Sequence, residues 1–457
     1  MSQQQHINTY EEALATLKRA LAFGINPSLE GIRLLMEELG HPENSYVPIQ
    51  ITGTNGKTST TRLIEALLRS SGFKSGFYTS PELIDYTERI QIEGADISRE
   101  EFARGMQRVS DARDSLTQKG LYEGDQITEF ELLTALALFI FAERHLDFAV
   151  LEVGLGGRWD ATSVVAPSVA VITGVGLDHT NILGSSVQEI AADKAMIIKP
   201  GSTPVLGAHL GDALEVILKR CEDLEAFPRV VCDTDEVSPV LEELTTRIDI
   251  HATEKDVHTL LRTRFSVKTP HANYENLLIA GPAYQAYNAS TALTAVEAAL
   301  GRALRREDID TALATVRFPA RFEVVRRDPL LMFDGGHNPQ AAELLAKNLQ
   351  QAGIKPVAVL GVFADKDYEK IIAALKPAVA GFIAISIDHP RALGAQELAA
   401  NIEKITGVAP RATLVHPTLA DILELTKSQP VVITGSLSLY VLLKSYIAHT
   451  KEKAKVE

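Results

Sequence analysis

The chain has 457 residues, of which 46% are hydrophobic and 23% are charged, as is typical of a globular protein with two or three domains. Its formal net charge of -14 disfavours nucleic acid or an anionic membrane as a partner. Two cysteines, Cys221 and Cys232, exclude a disulfide framework and fit a reducing cytoplasm, and the polar N-terminus and short apolar runs predict neither a signal peptide nor a membrane span.

Helices and strands are predicted to alternate along the first half of the chain. The helices are expected within residues 9–39 and at 58–70, 100–118 and 130–144. The strands are expected at 47–52, 148–153 and 168–173. Because the strands are strongly apolar, the pattern indicates a parallel sheet covered by helices. Shorter β-like pieces at 260–267 and 277–280 favour an antiparallel edge or subdomain, and a helix is expected at 283–300.

A second alternation of strands and helices begins after Phe318 and Pro319. Its strands are expected at 330–334, 357–362, 382–387, 413–415 and 431–434. This pattern is typical of a doubly wound α/β domain. We therefore predict an α/β protein with a first domain at 1–318, a boundary at 318–322 and a smaller domain at 322–457.

A glycine-rich turn joins the strand at 47–52 to the helix at 58–70. It consists of Gly53, Thr54, Asn55, Gly56, Lys57 and Thr58. In such a turn the backbone N–H groups point at phosphate oxygens, the lysine reaches the terminal phosphates and the threonine hydroxyl helps to hold Mg²⁺. The usual loop has a glycine six residues before the lysine, where this chain has Ile51. The strand–turn–helix context nevertheless favours nucleotide phosphate binding over an incidental glycine-rich turn.

One side chain is a candidate metal ligand from its place in the predicted fold. Glu152 ends an apolar strand before a glycine-rich turn, where a carboxylate can face a ligand beyond the sheet edge. A carboxylate beside a phosphate loop suits Mg²⁺, which prefers oxygen ligands. Ser80 and His179 lie in other motifs of the same half of the chain. Taken alone, Ser80 before Pro81 is more typical of a turn, and His179 is more typical of a structural histidine.

Two further segments also have ordinary structural explanations. Thr128 stands before the apolar helix with Glu131 three residues later, which is typical of a capping box. Lys194, in the segment 192–199, could be an unmodified partner of a phosphate charge. Neither explanation excludes a functional one.

In chain order, these motifs resemble those of the Mur ligase superfamily, and in particular its folylpolyglutamate synthase and dihydrofolate synthase branch. The resemblance runs from about residue 50 to residue 367. It implies a P-loop ATPase domain of the Mur ligase type followed by a smaller Rossmann-like domain.

The resemblance also implies roles for individual residues. The implied metal ligands are Ser80, Glu152 and His179. The implied substrate contacts, in which Phe130 stacks on a pterin ring, are Glu82, Arg89, Thr128, Glu129, Phe130 and Glu131. The implied ATP contacts beyond the phosphate loop are Asn288, Arg321 and Asp334. The implied catalytic residues are Lys57, Lys194 as a carbamate, and His337 near the incoming amino acid or the transferring phosphate.

Four positions depart from the pattern of this family. Glu82 stands where the family usually has histidine, and Ser163 where it has asparagine. Met196 and Ala320 both replace glycines. The alanine is expected to alter the turn before Arg321.

These parts together predict an ATP-dependent ligase. The γ-phosphoryl group would move to a substrate carboxylate, and the amine of L-glutamate would displace phosphate from the acyl phosphate. From the resemblance we favour a bifunctional dihydrofolate and folylpolyglutamate synthase over a monofunctional folylpolyglutamate synthase. A peptidoglycan Mur ligase fits less well, because no UDP-binding domain is expected before the loop. A nucleotide-binding regulator or inactive homologue is the alternative of another class, and the retained lysines and metal-ligand candidates argue against it.

The expected small-molecule partners are ATP, L-glutamate, and folate or dihydropteroate, with Mg²⁺ as cofactor. Magnesium would supply the positive charge that so acidic a chain needs at an ATP site. We expect a cytoplasmic monomer whose two domains close over ATP and exclude water from the acyl phosphate.

Overall fold

A computed structural model of the chain describes residues 6–21, 24, 27–122, 127–233 and 244–447. The chain divides into two compact units. The first unit comprises Met1–Ala252, Arg264–Ile279 and Tyr284–Val316, and the second comprises Thr253–Thr263, Ala280–Ala283 and Arg317–Glu457. The domain limits of 1–318 and 322–457 stay a prediction.

The helices of the first unit agree closely with the sequence pattern. They are α1 (Tyr10–Ala20), α2 (Glu30–Glu38), α3 (Lys57–Ser70), α4 (Arg99–Gln118), α5 (Glu129–Glu143), α6 (Thr180–Leu183), α7 (Val187–Lys194), α8 (Ala213–Asp223), α9 (Ala283–Leu300) and α10 (Arg306–Thr315). The helical region predicted at 9–39 is therefore two helices, α1 and α2. The helices predicted at 58–70, 100–118, 130–144 and 283–300 are confirmed to within one residue at each end.

One large sheet forms the centre of the first unit. Its strands are β1 (Val47–Thr52), β2 (Ser75–Tyr78), β3 (Ile90–Ile92), β4 (Ala95–Asp96), β5 (Phe148–Glu152), β6 (Val169–Ile172), β7 (Thr203–Leu206), β8 (Arg229–Asp233), β9 (Thr245–Asp256), β10 (Leu260–Lys268) and β11 (Asn273–Ala280). The strand order is β11-β10-β9-β8-β7-β6-β1-β5-β2-β3-β4.

The middle of this sheet is parallel, as the apolar strands predict. Strand β1 lies between β5 and β6 and is parallel to both. Its Ile49 and Ile51 are fully buried, and burial of such a side chain contributes about 1.5–3 kcal/mol. Strands β9 and β10 are neighbours joined by three residues, too few for a parallel crossover, so the predicted antiparallel edge is also confirmed.

The second unit is a smaller α/β sheet. Its helices are α11 (Pro339–Ala352), α12 (Tyr368–Leu375), α13 (Ala395–Thr406) and α14 (Leu419–Thr426). Its strands are β12 (Glu323–Arg327), β13 (Leu330–Asp334), β14 (Val357–Leu360), β15 (Gly381–Ile385), β16 (Ala412–Leu414) and β17 (Val431–Thr434), in the order β12-β13-β17-β14-β15-β16. Among the paired strands of the described residues in this unit, β12 and β13 are antiparallel and the other pairs are parallel, which confirms the doubly wound type. In the part of the chain that the structure describes, no helix is long and apolar enough to cross a membrane.

Candidate active site

The phosphate loop, residues 53–58, is pressed between the end of β6 and the start of α9. A Cβ atom at Gly53 (φ 151°) would lie 2.1 Å from the Thr173 hydroxyl, and one at Gly56 (φ 88°) would lie 2.7 Å from Asn288 Oδ1. Both positions therefore require glycine. Asn288, a predicted ATP contact, thus lies directly against the loop, where its amide also donates to Gln285 Oε1 at 2.9 Å.

Lys57 and Thr58 begin helix α3 at the carboxyl end of β1. The Lys57 ammonium donates to the Gly53 carbonyl at 2.8 Å, so the side chain folds back onto the first residue of the phosphate loop. The Thr58 hydroxyl donates to Glu152 Oε1 at 2.9 Å. The two predicted elements of the metal and phosphate site, the loop and the strand-end carboxylate, are therefore in direct contact.

Glu152 is 1% exposed and ends β5, where it pairs in register with Ile51 of β1. The glycine-rich turn after it is held by hydrogen bonds to side chains. Asp160 accepts from the Gly154 and Leu155 N–H groups at 2.9 and 3.0 Å. Ser163, at the position where asparagine was expected, donates to the Gly157 carbonyl at 2.6 Å, so the serine takes a structural role in the turn.

Lys194 is the last residue of α7 and lies beneath this glycine-rich turn. A Cβ atom at Gly157 would lie 2.8 Å from the Lys194 carbonyl oxygen. The side chain is buried, and burial, followed by repulsion from the Lys57 charge, lowers the pKa of Lys194 to about 7. Its unprotonated form is therefore favoured relative to an ordinary lysine. Met196, at the usual glycine, is half-buried in the turn that follows.

Ser80 and His179 occupy loops at the same sheet. Ser80 follows β2, which is parallel to β5 and pairs Tyr78 with Leu151. His179 has φ 50° and a side chain that is 42% exposed, with Nε2 3.9 Å from the Asp178 carboxylate. Among the residues with described positions, no group of three His, Cys, Asp or Glu side chains is arranged to hold a metal ion. The roles of Ser80 and His179 as ligands stay predictions.

The segment 82–89 forms a second cluster of charged side chains. Arg89 is buried and donates from Nε to Glu82 Oε2 at 2.6 Å. Its guanidinium lies 4.9 Å from the centre of the Tyr86 ring. The Tyr86 hydroxyl donates to Glu129 Oε1 at 2.6 Å, and burial raises the pKa of Glu129. Three predicted substrate residues, Glu82, Arg89 and Glu129, are thereby brought together.

Tyr86 joins this cluster but was not predicted from the sequence. The available signal was its spacing, since an aromatic residue three positions before an arginine can stack on it within one helical turn. That signal is weak, because many surface turns contain such a pair. The contact with Glu129 is 43 residues away in the chain and has no local signature.

The start of α5 has a structural role at two of its four predicted residues. Thr128 and Glu131 form the expected capping box, with Thr128 accepting from the Glu131 N–H at 3.2 Å and Glu131 accepting from the Thr128 N–H at 2.9 Å. The Glu131 carboxylate is buried in this cap. Phe130 packs between Tyr78, at 6.0 Å between ring centres, and Gly154 of the glycine-rich turn. Its predicted stacking on a pterin stays a prediction.

The predicted site residues of the second unit lie around one turn. Asp334 ends β13 and accepts from the Phe322 and Gly336 N–H groups, both at 2.9 Å. Ala320 is buried with φ 58°, a left-handed conformation that suits the glycine expected there. Arg321 donates to the Ala320 carbonyl at 3.1 Å, and His337 Nδ1 lies 3.1 Å from the Gly335 carbonyl. The altered turn that was expected from the alanine stays a prediction.

Comparison with known families gives matches in both units. The sequence matches the Mur ligase middle domain over residues 51–296 and the Mur ligase glutamate ligase domain over residues 320–437. The dihydrofolate synthase/folylpolyglutamate synthase of Bacillus subtilis is 34% identical over 403 residues, which cover 85% of this chain and 88% of that protein. The folylpolyglutamate synthase of Lacticaseibacillus casei is 32% identical over 420 residues, with 89% and 91% covered.

Solved structures match along nearly the whole chain. Mycobacterium tuberculosis folylpolyglutamate synthase complexed with ADP has a TM-score of 0.84 at 30% identity, covering 96% of this chain and 98% of that chain. E. coli FolC in complex with DHPP and ADP has a TM-score of 0.82 at 26% identity, covering 98% and 99%. A bifunctional folylpolyglutamate synthase/dihydrofolate synthase with Mn, AMPPNP and L-glutamate bound has a TM-score of 0.81 at 27% identity, covering 97% and 99%.

Proposed function

The chain belongs to the Mur ligase family, and from that premise we propose that it is a bifunctional dihydrofolate and folylpolyglutamate synthase. It is an ATP-dependent ligase that joins the carboxylate of a pteroate or folate to the amine of L-glutamate. Beyond the matches to relatives with this activity, one observation in the site carries the proposal. The phosphate loop meets a buried carboxylate through the 2.9 Å contact between Thr58 and Glu152.

The chemistry proceeds in two displacements. A substrate carboxylate oxygen attacks the γ-phosphorus of ATP, the bond to the bridging oxygen breaks, and ADP leaves. The amine of L-glutamate then attacks the acyl carbon and loses a proton, and the C–O bond to phosphate breaks to give the amide. Lys57, at the N-terminus of α3, neutralises charge on the phosphates in the first step. His337 is our candidate for the group that accepts the amine proton.

The donor set around Glu152 suits a hard divalent cation. Glu152 and Thr58 present oxygen atoms in contact with one another beside the phosphate loop, and Mg²⁺ prefers oxygen ligands. We propose that Ser80, Glu152 and His179 hold Mg²⁺ in this chain. When bound, the ion would neutralise phosphate charge during transfer. The manganese in a related structure supports a divalent metal at this type of site.

Lys194 is proposed to carry a carbamate. The modification forms when an unprotonated amine nitrogen bonds to the carbon of CO₂ and the displaced proton goes to solvent. Burial and the Lys57 charge, which lower the pKa of Lys194 to about 7, favour the unprotonated amine that this reaction needs. The product is an anion that would offset the nearby charge of Lys57.

The residues that contact the substrates are proposed from the resemblance to the family. We propose that Glu82, Arg89, Thr128, Glu129, Phe130 and Glu131 form the pteroyl side of the site, of which Glu131 acts through the helix cap. Asn288, Arg321 and Asp334 are proposed to contact ATP in addition to residues 53–58. The placement of Asn288 against Gly56 supports the first of these.

A monofunctional folylpolyglutamate synthase is the second candidate, and the 32% identity to the Lacticaseibacillus casei protein of that name favours it. The candidate of another class is a nucleotide-binding regulator or inactive homologue. We also propose a cytoplasmic location, because two cysteines in 457 residues are too few for a disulfide framework. We further propose that the protein is a monomer, which light scattering coupled to size exclusion would test.

One assay separates these candidates. Purified protein is given ATP, Mg²⁺ and L-glutamate with either dihydropteroate or tetrahydrofolate, and ADP and the amide product are measured. Amide from both acceptors supports the bifunctional enzyme, and amide from tetrahydrofolate alone supports the monofunctional one. ADP and amide from neither would exclude the folate ligase.

A further inference from the structure

The hydroxyl of Tyr10 links the first helix to the segment 82–89. Tyr10 begins α1 and is 6% exposed. Its hydroxyl donates to Asp85 Oδ1 at 2.5 Å and accepts from the Tyr86 N–H at 3.2 Å. A single oxygen therefore contacts both a carboxylate and a backbone amide of a segment 75 residues further along the chain.

Asp85 is the centre of this contact. Its Oδ1 also accepts from the Thr87 N–H at 3.2 Å and from the Thr87 hydroxyl at 3.0 Å, which caps the short turn at 86–89. Its Oδ2 accepts from Arg99 Nη2 at 2.6 Å. The Arg99 guanidinium also lies 4.8 Å from the centre of the Tyr10 ring. Tyr10, Asp85 and Arg99 thus form a closed set of mutual contacts, which we call the Tyr10 cluster.

The turn held by this cluster carries the charged side chains of the proposed pteroyl site. Tyr86, whose backbone N–H is fixed by Tyr10, donates from its hydroxyl to Glu129 at 2.6 Å. Arg89 stacks on the Tyr86 ring and pairs with Glu82. A shift of the Tyr86 backbone would therefore displace both the Glu129 and the Glu82 ends of the site.

Helix α1, which carries Tyr10, is stabilised by its N-terminal cap and by packing against α4. Thr9 and Glu12 form a capping box at its start. The Tyr10 ring packs edge-on against Phe102 of α4 with 5.2 Å between ring centres. Tyr10 is therefore held by packing, so its hydroxyl is fixed before any substrate binds.

We infer that helix α1 positions the segment 82–89 for the pteroyl substrate through the Tyr10 cluster. Tyr10, Asp85 and Arg99 are positioning residues in this account, because they act through Tyr86 and Arg89. The inference rests on the proposed function, in which Glu82, Arg89 and Glu129 face the pteroyl group.

The test is the Tyr10→Phe variant. It keeps the ring that packs on Phe102 and Arg99 and removes only the oxygen. A lost hydrogen bond to a charged group should raise the KM for dihydropteroate and tetrahydrofolate about tenfold. The KM for ATP and kcat should stay within about twofold, because the phosphate loop lies on other strands. A role in stability alone would not produce this split.

Tyr274→Phe is the matched control. Tyr274 is 5% exposed, and its hydroxyl donates to the buried carboxylate of Glu297, so the substitution removes the same type of contact elsewhere in the first unit. This variant should lose stability and keep both KM values. If the two variants raise the pteroyl KM equally, or if Tyr10→Phe leaves it unchanged, the inference is overturned.

Amide hydrogen exchange separates this inference from the proposed function. Peptides that contain Tyr86 should exchange faster in Tyr10→Phe than in the wild type, and at an unchanged rate in Tyr274→Phe. If the wild type forms no amide from either acceptor, the proposed function fails while the exchange result still tests the positioning. If the enzyme is active but the peptides that contain Tyr86 exchange equally fast in Tyr10→Phe and in the wild type, the inference is overturned and the proposed function stands.

Discussion

The phosphate loop and the segment 82–89, both in the first unit, differ in how their charged side chains are arranged. At the phosphate loop, burial together with the Lys57 charge lowers the pKa of Lys194 to about 7. In the segment 82–89, burial alone would lower the pKa of Arg89, but the Glu82 carboxylate raises it above its ordinary value. The first region therefore disfavours a second positive charge, and the other pairs opposite charges.

This difference indicates how each region is used. Like charges held together favour the arrival of a polyanion or the loss of a proton, and such arrangements are enriched at functional sites. Paired charges stabilise a segment before ligand arrives, so the pteroyl side of the proposed site is preorganised. Substitutions at the loop should therefore affect turnover more than stability, and substitutions in the segment should affect both.

The largest effect is expected for Lys57→Met. Loss of the charge that we propose neutralises the phosphates should lower kcat about 10³-fold, with little change in the melting temperature. Initial rates of ADP release measure the first quantity, and thermal unfolding measures the second. Lys219→Met, on the exposed face of α8, is the control and should retain full activity. A Lys57 variant that unfolds at much lower temperature would contradict the contrast between the two regions.

Glu152→Gln should weaken divalent metal binding by roughly 10- to 100-fold. The amide keeps the size of the side chain and can still accept from Thr58, so only the charge is lost. Binding of Mn²⁺, followed by electron paramagnetic resonance without turnover, measures the effect. Glu297→Gln, another fully buried carboxylate, is the control. Equal Mn²⁺ affinity in wild type and Glu152→Gln would remove Glu152 from the proposed metal site.

Because the pKa of Lys194 is lowered by folding, the free energy of unfolding should depend on pH. Because its pKa is about 7 in the folded protein against an ordinary value of 10.5, the unfolded chain binds more protons between these values. Stability should therefore rise with pH across this window, by about 2 kcal/mol between pH 7.5 and 9. Chemical unfolding of wild type and Lys194→Met in CO₂-free buffer without metal measures the difference. If the difference in unfolding free energy between wild type and Lys194→Met does not change with pH, the pKa of Lys194 is not lowered in the folded protein.

A smaller effect on turnover than at the phosphate loop is expected for Glu82→Gln, in the paired region. Loss of the carboxylate beside buried Arg89 should cost about 1.5–3 kcal/mol of stability and raise the pteroyl KM several-fold. Glu143→Gln breaks the exposed Arg104–Glu143 pair and should cost less than about 1 kcal/mol. Equal and small costs for the two substitutions would contradict the preorganisation of the segment.

The same contrast explains how much could be predicted from the sequence. The strand at 47–52, the phosphate loop and the strand-end Glu152 are local patterns, and the structure places them as expected. The Tyr10 cluster was missed, because its contacts join residues 14 and 75 positions apart and leave no local signature. Short strands such as β2 (Ser-Gly-Phe-Tyr) and β7 (Thr-Pro-Val-Leu) were also missed, since glycine and proline lower the strand signal.

Two departures from the family pattern could be interpreted only with the structure. Ser163 replaces asparagine but still closes the glycine-rich turn through the Gly157 carbonyl. Glu82 replaces histidine and pairs with Arg89, a partner seven residues away that the sequence motif does not single out. Ser163 and Glu82 therefore both form a hydrogen bond within their own segment of the chain, although neither is the residue that the family usually has.

We propose that this chain activates a carboxylate as an acyl phosphate. The decisive experiment uses tetrahydrofolate labelled with ¹⁸O in its γ-carboxylate, in a reaction with ATP, Mg²⁺ and L-glutamate. We expect each molecule of amide to be accompanied by ADP and by inorganic phosphate that contains one ¹⁸O atom. Amide formed with unlabelled phosphate, or with the label in AMP, would contradict it.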